Sequence, residues 1–338
     1  MASVWYGVLV FMLTGYAVLD GFDLGVGVLH LWIGRDDRER RMAIAAIGPV
    51  WDGNEVWLIS FGGLLLLSFP RAYAAGFSGF YLPLMIVLWL LIARGIALEW
   101  RASIDDPMWR GPADVVFWLS SVLLTVLFGV AVGNIVRGVP LDSSGYYEGL
   151  FAWILNPYAL LIGALSLVLL TMHGANWLAL KTDGVVQERA RRAAGRLLAV
   201  LISLTVLAAL ATFLVQSRML SNYRAKPWLI VVPLLIVAML LVLWHARRRT
   251  DDLRAFLGSG GLIVALAGSN AVGLYPYLLP SDPHPERGLS ITNAASGSGS
   301  LTIGIIWLSI GLTLVIVHTV FIYFLFRGKV LLDAGGHY

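Results

Sequence analysis

Long uncharged stretches alternate with short charged segments along the whole chain. Nine stretches are long enough for a membrane-spanning helix, which needs about 20 apolar residues, and we number them spans 1 to 9. They lie near residues 4–33 (interrupted), 44–69 (interrupted), 72–93, 115–136, 152–180, 197–217, 228–246, 255–279 and 301–326. Pro70 and Arg71 divide the apolar run from Leu64 to Leu98 between spans 2 and 3. The short alternating segments of a membrane barrel are absent. The pattern therefore predicts an all-α polytopic membrane protein.

The composition also favours a membrane protein over a soluble domain. Of the 338 residues, 59% are hydrophobic and 13% are charged, whereas soluble domains carry about 25% charged residues. The sequence has no cysteine, which excludes disulfides, thiolate-bound or covalently attached haem, iron–sulfur clusters and cysteine-bound zinc. No Lys or Arg precedes Arg35, so the start lacks the basic region of a signal peptide. We therefore expect span 1 to be retained.

Lysine and arginine residues are distributed unevenly between the two sides of the predicted bundle. With the N-terminus outside, 17 of them fall on the cytoplasmic side and 6 on the outer side, and Arg94 lies within a span. Cytoplasmic loops of membrane proteins carry an excess of these residues, which predicts an outer N-terminus and a cytoplasmic C-terminus. The same topology explains the net charge of +4, so no nucleic-acid partner is expected.

A short internal repeat indicates how the spans are grouped. Residues 131–133 and 271–273 both read Ala-Val-Gly, and each triplet ends seven residues before a proline. The repeat predicts two four-helix units and a peripheral ninth helix. The predicted organisation is a single membrane domain of residues 1–338, with units at 1–150 (spans 1–4) and 151–280 (spans 5–8) and the ninth helix at 300–327.

Ionisable side chains inside the spans are the most informative residues. Each costs at least about 2.5–3.5 kcal/mol at mid-membrane, so those present point to a function. They are Asp20 and Asp23 in span 1, Asp52 and Glu55 in span 2, and Arg94 and Glu99 toward the inner end of span 3. The two members of each acidic pair are three residues apart and share a helix face. Because a short loop joins spans 1 and 2, we expect their four carboxyl groups to converge between the two helices.

The acidic cluster predicts a proton path from the cytoplasm toward mid-membrane. Two alternatives stay open, a purely structural polar cluster and a cation or substrate site. The structural alternative rests on Gly21 and Gly53, since a carboxylate beside glycine often satisfies backbone groups at a helix break. His173 in span 5 and His318 in span 9 are candidate haem or metal ligands, although a membrane histidine is more often hydrogen-bonded within the bundle.

Four motifs resemble those of a known family. They are DGFDLGVG at 20–27, GPVWDGNEVWL at 48–58, AGFSGFY at 75–81 and SITNAAS at 290–296. Arg94, Glu99 and Arg101 also fall in a similar pattern. Over essentially its whole length, the chain resembles subunit II of the cytochrome bd-type quinol oxidases.

The resemblance implies an oxidoreductase of the respiratory electron-transport chain in the bacterial cytoplasmic (inner) membrane. Such a terminal oxidase oxidises quinol and reduces O2 to water without pumping protons. Subunit I is expected to carry haem b558, haem b595 and haem d, and to pair with this haem-free chain as a heterodimer. A small single-span accessory subunit often accompanies the pair. A structural quinone on this chain, the quinone type and membership of the cyanide-insensitive branch stay open.

The resemblance also assigns roles to residues. It places Asp20, Asp23 and Trp51-Asp52 on a cytoplasmic proton inlet, with Glu55 less securely, since other members can carry glutamine there. Trp51 and Trp57 would shape and dry the passage, and Arg94 and Glu99 are possible supporting residues. No catalytic residue and no metal site are assigned to this chain.

Two other functions stay open. The first is a secondary transporter with a mid-membrane acidic site, which would work without a partner. The second is a membrane cytochrome that itself binds haem, through His173 or His318.

Overall fold

The computed structural model describes residues 1–103 and 106–330. Within these residues the chain forms thirteen α-helices, two 3-10 helices and one two-stranded sheet, which confirms the predicted all-α class. The helices are α1 (Ala2–Ile33), α2 (Asp37–Ala45), α3 (Trp51–Ser68), α4 (Pro70–Gly79), α5 (Tyr81–Ser103), α6 (Pro107–Arg137), α7 (Phe151–Ile154), α8 (Pro157–Lys181), α9 (Gly184–Val215), α10 (Met219–Ala225), α11 (Val231–Arg248), α12 (Asp252–Leu274) and α13 (Ser298–Leu325). The 3-10 helices are Pro227–Ile230 and Pro285–Arg287, and the strands are β1 (Tyr277–Leu279) and β2 (Leu289–Ser290).

Eight of the described helices are long and apolar enough to cross a membrane, namely α1, α5, α6, α8, α9, α11, α12 and α13. The helix in predicted span 2, α3, has 18 residues and does not belong to this group. Asp52, Asn54 and Glu55 make its first two turns polar. The count of nine membrane spans stays a prediction, because the second span would be the more polar α3.

The helices around spans 2 and 3 differ in part from the predicted stretches. Span 2 was predicted as an interrupted stretch from 44 to 69, and residues 46–50 form turns between α2 and α3. Pro49 lacks an N–H group and disfavours helix at the preceding residue, and Trp177 Nε1 donates to the carbonyl of Ala46 at 2.8 Å. Span 3 was expected from 72 to 93, but α4 ends before Phe80 and α5 continues to Ser103.

The long helices run alternately between two ends of the bundle. At the basic end, α1 leads into α2, and the α8–α9 and α11–α12 turns lie close to it. There, Arg189 Nη1 donates to the carbonyl of Ile33 at 2.7 Å, and Lys329 Nζ donates to that of Thr182 at 3.1 Å. The loop end holds residues 138–156 and 275–297, including antiparallel β1 and β2. Val139 N donates to the carbonyl of Pro280 at 3.0 Å across this end.

Helices α1 and α8 cross at the centre of the bundle. A Cβ on Gly174 would lie 2.3 Å from the carbonyl carbon of Gly25, and one on Gly25 would lie 1.9 Å from the carbonyl oxygen of Leu170. Only glycine permits this backbone approach, which is typical of close helix packing in membranes. The crossing buries residues 20–27 of α1 completely.

Helix α13 is peripheral, since it packs mainly on α3 and buries only Leu301 and Gly304 of its own residues. Helices α1 and α6 both pack on α8, across the predicted boundary at residue 150. The division into two four-helix units stays a prediction. The C-terminal residue, Tyr338, whose cytoplasmic position was predicted, lies outside the described residues.

Candidate functional site

Arg94 joins acidic residues from two other helices in the interior of the bundle. Its side chain and that of Asp20 are both 0% exposed. Arg94 Nη1 donates to Asp20 Oδ2 at 3.0 Å, and Nη2 donates to Asp20 Oδ1. Nη2 also lies 3.2 Å from Glu55 Oε1. One guanidinium from α5 therefore neutralises charge from α1 and α3, in the two-pronged geometry that suits arginine and carboxylate.

Asp23, one turn further along α1, is also fully buried and is held by an amide. Its Oδ2 accepts a hydrogen bond from Asn54 Nδ2 at 2.7 Å, and the same nitrogen donates to the carbonyl of Leu19 at 3.1 Å. Asn54 Oδ1 in turn accepts from Tyr323 Oη at 3.1 Å. A hydrogen-bonded chain thus runs from α13 through α3 to α1.

Asn54 and Tyr323 were not among the predicted site residues. Asn54 could have been found from sequence, because it is an amide inside an apolar stretch between Asp52 and Glu55. Tyr323 gave no comparable signal, since tyrosine near the end of a span is common in membrane proteins.

Protein groups do not complete the hydrogen bonding of the buried cluster. Four buried atoms of this cluster have no hydrogen-bond partner among the described residues: Tyr16 Oη, Asp23 Oδ1, Glu55 Oε1 and Arg94 Nε. Buried polar atoms in proteins are nearly always hydrogen-bonded. The cluster therefore retains capacity to bind a proton or another hydrogen-bonding group.

The other predicted site residues surround the cluster or lie apart from it. Asp52 is exposed on the outward face of α3, so it stands at the rim beside Glu55 and not among the buried carboxyl groups. Trp51 is half-buried and packs on Gly95. Trp57 is buried against Gly15, where a Cβ would lie 2.5 Å from the indole. Glu99 is exposed on α5 and has no hydrogen bond or ion pair with the described residues.

Asp114 organises a second charged network at the basic end. It is 1% exposed and accepts hydrogen bonds from His30 Nε2 at 2.7 Å, Arg101 Nε at 2.8 Å and Arg40 Nη1 at 2.9 Å. The network joins α1, α2, α5 and α6. This network is hard to predict from the linear pattern, because His30 and Arg101 lie near the ends of spans, where interfacial polar residues are common.

Asp37, on α2 and outside the spanning helices, extends this network. Burial by itself would raise the pKa of Asp37, but the hydrogen bond from Arg101 and the nearby charges of Arg41 and Arg110 lower it below its ordinary value. Arg101 Nη2 lies 2.5 Å from Asp37 Oδ1. We therefore expect Asp37 to stay charged into the acid range.

The two candidate histidine ligands lie in different surroundings. His173 is fully buried, with Nδ1 2.7 Å from Ser259 Oγ and Nε2 donating to the carbonyl of Val18 at 3.0 Å. Both ring nitrogens are thus engaged by the protein, and the ring stacks on Phe256. His318 is exposed on α13. Among the described residues, no three His, Asp or Glu side chains are placed to hold a metal ion.

The sequence matches a family model described as cytochrome bd terminal oxidase subunit II over residues 1–326. The chain belongs to this family. The resemblance seen in the four motifs is thereby confirmed, and the chain is a multi-pass protein of the bacterial inner membrane and part of a terminal oxidase. Membership favours the oxidase hypothesis over a secondary transporter.

Individual relatives are similar over nearly their whole length. The probable cytochrome oxidase subunit 2 of Haemophilus influenzae is 32% identical, covering 98% of this chain and 95% of that protein. Cytochrome bd-I ubiquinol oxidase subunit 2 of Escherichia coli K12 is 31% identical, covering 97% and 94%. Cytochrome bd ubiquinol oxidase subunit 2 of Bacillus subtilis is also 31% identical, covering 97% and 96%.

A solved structure shares the fold. The bd oxidase from Geobacillus thermodenitrificans contains a chain that superposes with a TM-score of 0.78 at 20% sequence identity, covering 96% of this chain and 98% of that chain. The arrangement of helices described above is therefore that of a known membrane fold.

Proposed function

We propose that this chain is the haem-free subunit of a bd-type quinol oxidase and carries protons from the cytoplasm toward the site where O2 is reduced to water. Its relatives in Escherichia coli and Bacillus subtilis are named as ubiquinol oxidase subunits. The partner is a haem-bearing subunit I with haem b558, haem b595 and haem d. A small single-span accessory subunit completes the proposed assembly.

The proposed topology has nine membrane crossings, with α3 as the second. The alternation of the helices between two ends supports it, since α3 runs from the basic end to the loop end between α1 and α5. The arginine-rich end would face the cytoplasm, in keeping with the positive-inside rule. The first turns of α3, with Asp52 and Glu55, would then lie on the cytoplasmic half of the membrane.

The observation that carries the proposal is a gradient of burial along the acidic residues. Asp52 is exposed at the rim, the side chain of Glu55 is 22% exposed, and Asp20 and Asp23 are fully buried. A proton reaching Asp52 can pass inward to Glu55 and then to the buried carboxyl groups without a large backbone movement. Carboxyl groups arranged in this way are typical of proton relays in membrane proteins.

The charge balance of the cluster also supports proton binding. Arg94 is the one cation among the described residues that faces the acidic side chains of Asp20, Asp23 and Glu55. Uncompensated charges are costly in the low-dielectric interior. Uptake of protons by the cluster as a whole reduces the excess negative charge. Trp51 and Trp57 would exclude bulk water from this passage, which limits the route to the acidic side chains.

The substitution Asp52→Asn tests the proposed path in the assembled oxidase. We expect quinol-driven O2 consumption to fall by about tenfold or more, because loss of a relay group raises the barrier to proton transfer. The haem absorption spectrum should be unchanged. Glu188→Gln is the matched control, since Glu188 is an exposed acid on α9 outside the cluster. Normal turnover of a correctly assembled Asp52→Asn complex would contradict the proposal.

A further inference from the structure

A cleft of about 190 Å³ lies at the basic end between α9, α11 and α12, and it shares no residue with the acidic cluster. Its polar lining comes from Asn176, Arg191, Arg192, Arg247, Thr250, Asp251 and Asp252, and small alanine side chains form the rest. We infer that this cleft binds a phosphate group. The inference does not depend on the proposed proton path.

A tight turn between α11 and α12 builds one wall of the cleft. Thr250 adopts the left-handed conformation, with φ of 51°, and Asp251 N donates to the carbonyl of Ala246 at 2.9 Å to close α11. Asp251 Oδ1 then accepts from Arg254 N at 3.0 Å and caps α12. The last turn of α11, with Arg247, is thereby set beside the first turn of α12.

The acidic residues of the cleft are already engaged. Asp252 accepts two hydrogen bonds from Arg191, from Nε at 2.8 Å and from Nη2 at 2.6 Å. Asp251 caps α12, and its Oδ2 lies 3.3 Å from Arg254 Nε. These two carboxylates are therefore paired with arginines of their own.

Arg192 and Arg247 supply positive charge in excess of these pairs. Within the part of the chain that the structure describes, Arg247 has no carboxylate at ion-pair distance, and its Nη1 reaches only the carbonyl of Ala194, at 3.4 Å. The nearest acid to Arg192 is Glu188, at 3.9 Å between two exposed side chains. Two guanidinium groups can therefore bind an anion in the cleft without first losing a strong partner.

Gly195 leaves the space that the Arg247 guanidinium occupies. A Cβ at this position would lie 1.9 Å from Arg247 Nη2, so any larger residue would displace the guanidinium. Arg247 is half-buried as a result. Its head group is thus held against α9 at the cleft, unlike that of Arg248, which lies over the Trp244 ring at 3.9 Å outside it.

A phosphate group fits the charge and the size of this cleft. Guanidinium groups hydrogen-bond phosphate oxygens in pairs, and Arg192 and Arg247 present two such groups at the cleft. The volume is below the roughly 300–1,000 Å³ of sites for drug-sized molecules, so it suits a head group alone. Basic pockets between helices at a membrane surface bind anionic lipid head groups, and a soluble phosphate has the same chemistry.

The test compares the intact oxidase complex with its Arg192→Gln/Arg247→Gln variant. Each is placed in nanodiscs of phosphatidylcholine with or without phosphatidylglycerol, and bound lipid is counted by native mass spectrometry. Inorganic phosphate is titrated separately by calorimetry in phosphatidylcholine alone. We expect phosphatidylglycerol or phosphate to bind about tenfold more weakly to the variant, since two charged hydrogen-bond donors are lost. The control Arg248→Gln/Arg249→Gln also removes two positive charges, from residues that do not line the cleft, and it should bind as the unaltered complex does.

Each outcome of this test either supports the phosphate site or overturns it. Selective loss of phosphatidylglycerol supports a lipid head group, and selective loss of phosphate binding supports a soluble ligand. Equal binding of both probes to the unaltered complex and the double variant overturns it. If the double variant fails to assemble, Gly195→Ala provides the same comparison without a change of charge, because it displaces the Arg247 guanidinium. Unchanged binding in an assembled Gly195→Ala complex would equally overturn the inference.

Discussion

Arg94 holds the buried carboxyl groups of α1 and α3 together with a single side chain. It forms a two-pronged ion pair with Asp20 and lies 3.2 Å from Glu55. No other cation among the described residues lies in this cluster. Removing one partner from a buried ion pair is far more costly than removing both, because it leaves a charge without compensation. The stability of the bundle and the charge of the proposed proton path therefore depend on the same residue.

Arg94→Gln should destabilise the complex by about 3–5 kcal/mol, because Asp20 and Glu55 then remain buried without a cation. Thermal unfolding of the purified complex measures the change. Adding Asp20→Asn to Arg94→Gln should restore part of the stability, since it removes one of the two uncompensated negative charges. Arg248→Gln, an exposed arginine, serves as the control. A single variant Arg94→Gln as stable as the unaltered complex would show that the pair is not required.

Asn54 and Tyr323 differ in how directly they reach Asp23. Asn54 donates to the Asp23 carboxyl at 2.7 Å, whereas Tyr323 contacts only Asn54. We expect Asn54→Leu to lower quinol-driven O2 consumption more than Tyr323→Phe does, because it removes the donor to a buried carboxyl group. The two variants are compared at equal haem content. The reverse order would mean that Tyr323 acts on the path independently of Asn54.

At the scale of helices, Asp114 connects α1, α2, α5 and α6. Three charged or polar donors from α1, α2 and α5 converge on one carboxylate at the start of α6. A surface ion pair contributes little by comparison, since water already solvates both charges. The Asp183–Lys329 pair is of the second kind, with exposed fractions of 66% and 42%.

Asp114→Asn should therefore lower the stability of the complex by about 3–5 kcal/mol, since several positive charges lose their common partner in a buried site. Asp183→Asn, the same chemical change in an exposed pair, should shift the thermal unfolding midpoint little. Equal shifts for the two variants would show that the buried network does not hold the helix ends together.

At the scale of the whole molecule, the direction of the chain through the membrane follows from the distribution of its charges. The arginine-rich turns all lie at one end, and the polar segments 138–156 and 275–297 lie at the other. The absence of cysteine from the sequence makes this arrangement simple to test by labelling.

Ser143→Cys, exposed at the loop end, should react with a membrane-impermeant maleimide in intact spheroplasts. Arg249→Cys, exposed at the basic end, should react only after permeabilisation, because the positive-inside rule places it in the cytoplasm. The unaltered protein provides a background free of thiols. Labelling in the opposite order would reverse the proposed orientation and remove the cytoplasmic access assumed for Asp52.

The linear pattern was sufficient for properties that depend on local composition. Apolar runs identified membrane helices because a helix in lipid must be apolar along its length. The cost of burying charge made Asp20, Asp23, Glu55 and Arg94 stand out, and the structure brings these four together. The sequence motifs around them identified the family.

Tertiary structure decided which side chains meet. Each residue turns a helix by about 100°, so the face that carries Asp52 or Asn54 depends on how α3 is rotated against α1 and α5. The Asn54–Tyr323 contact joins residues 269 positions apart. The Asp114 network and the contact of Arg247 with Ala194 also join separate helices. Such contacts arise from packing of side chains between helices, and a one-dimensional pattern of hydropathy and charge carries no information on that packing.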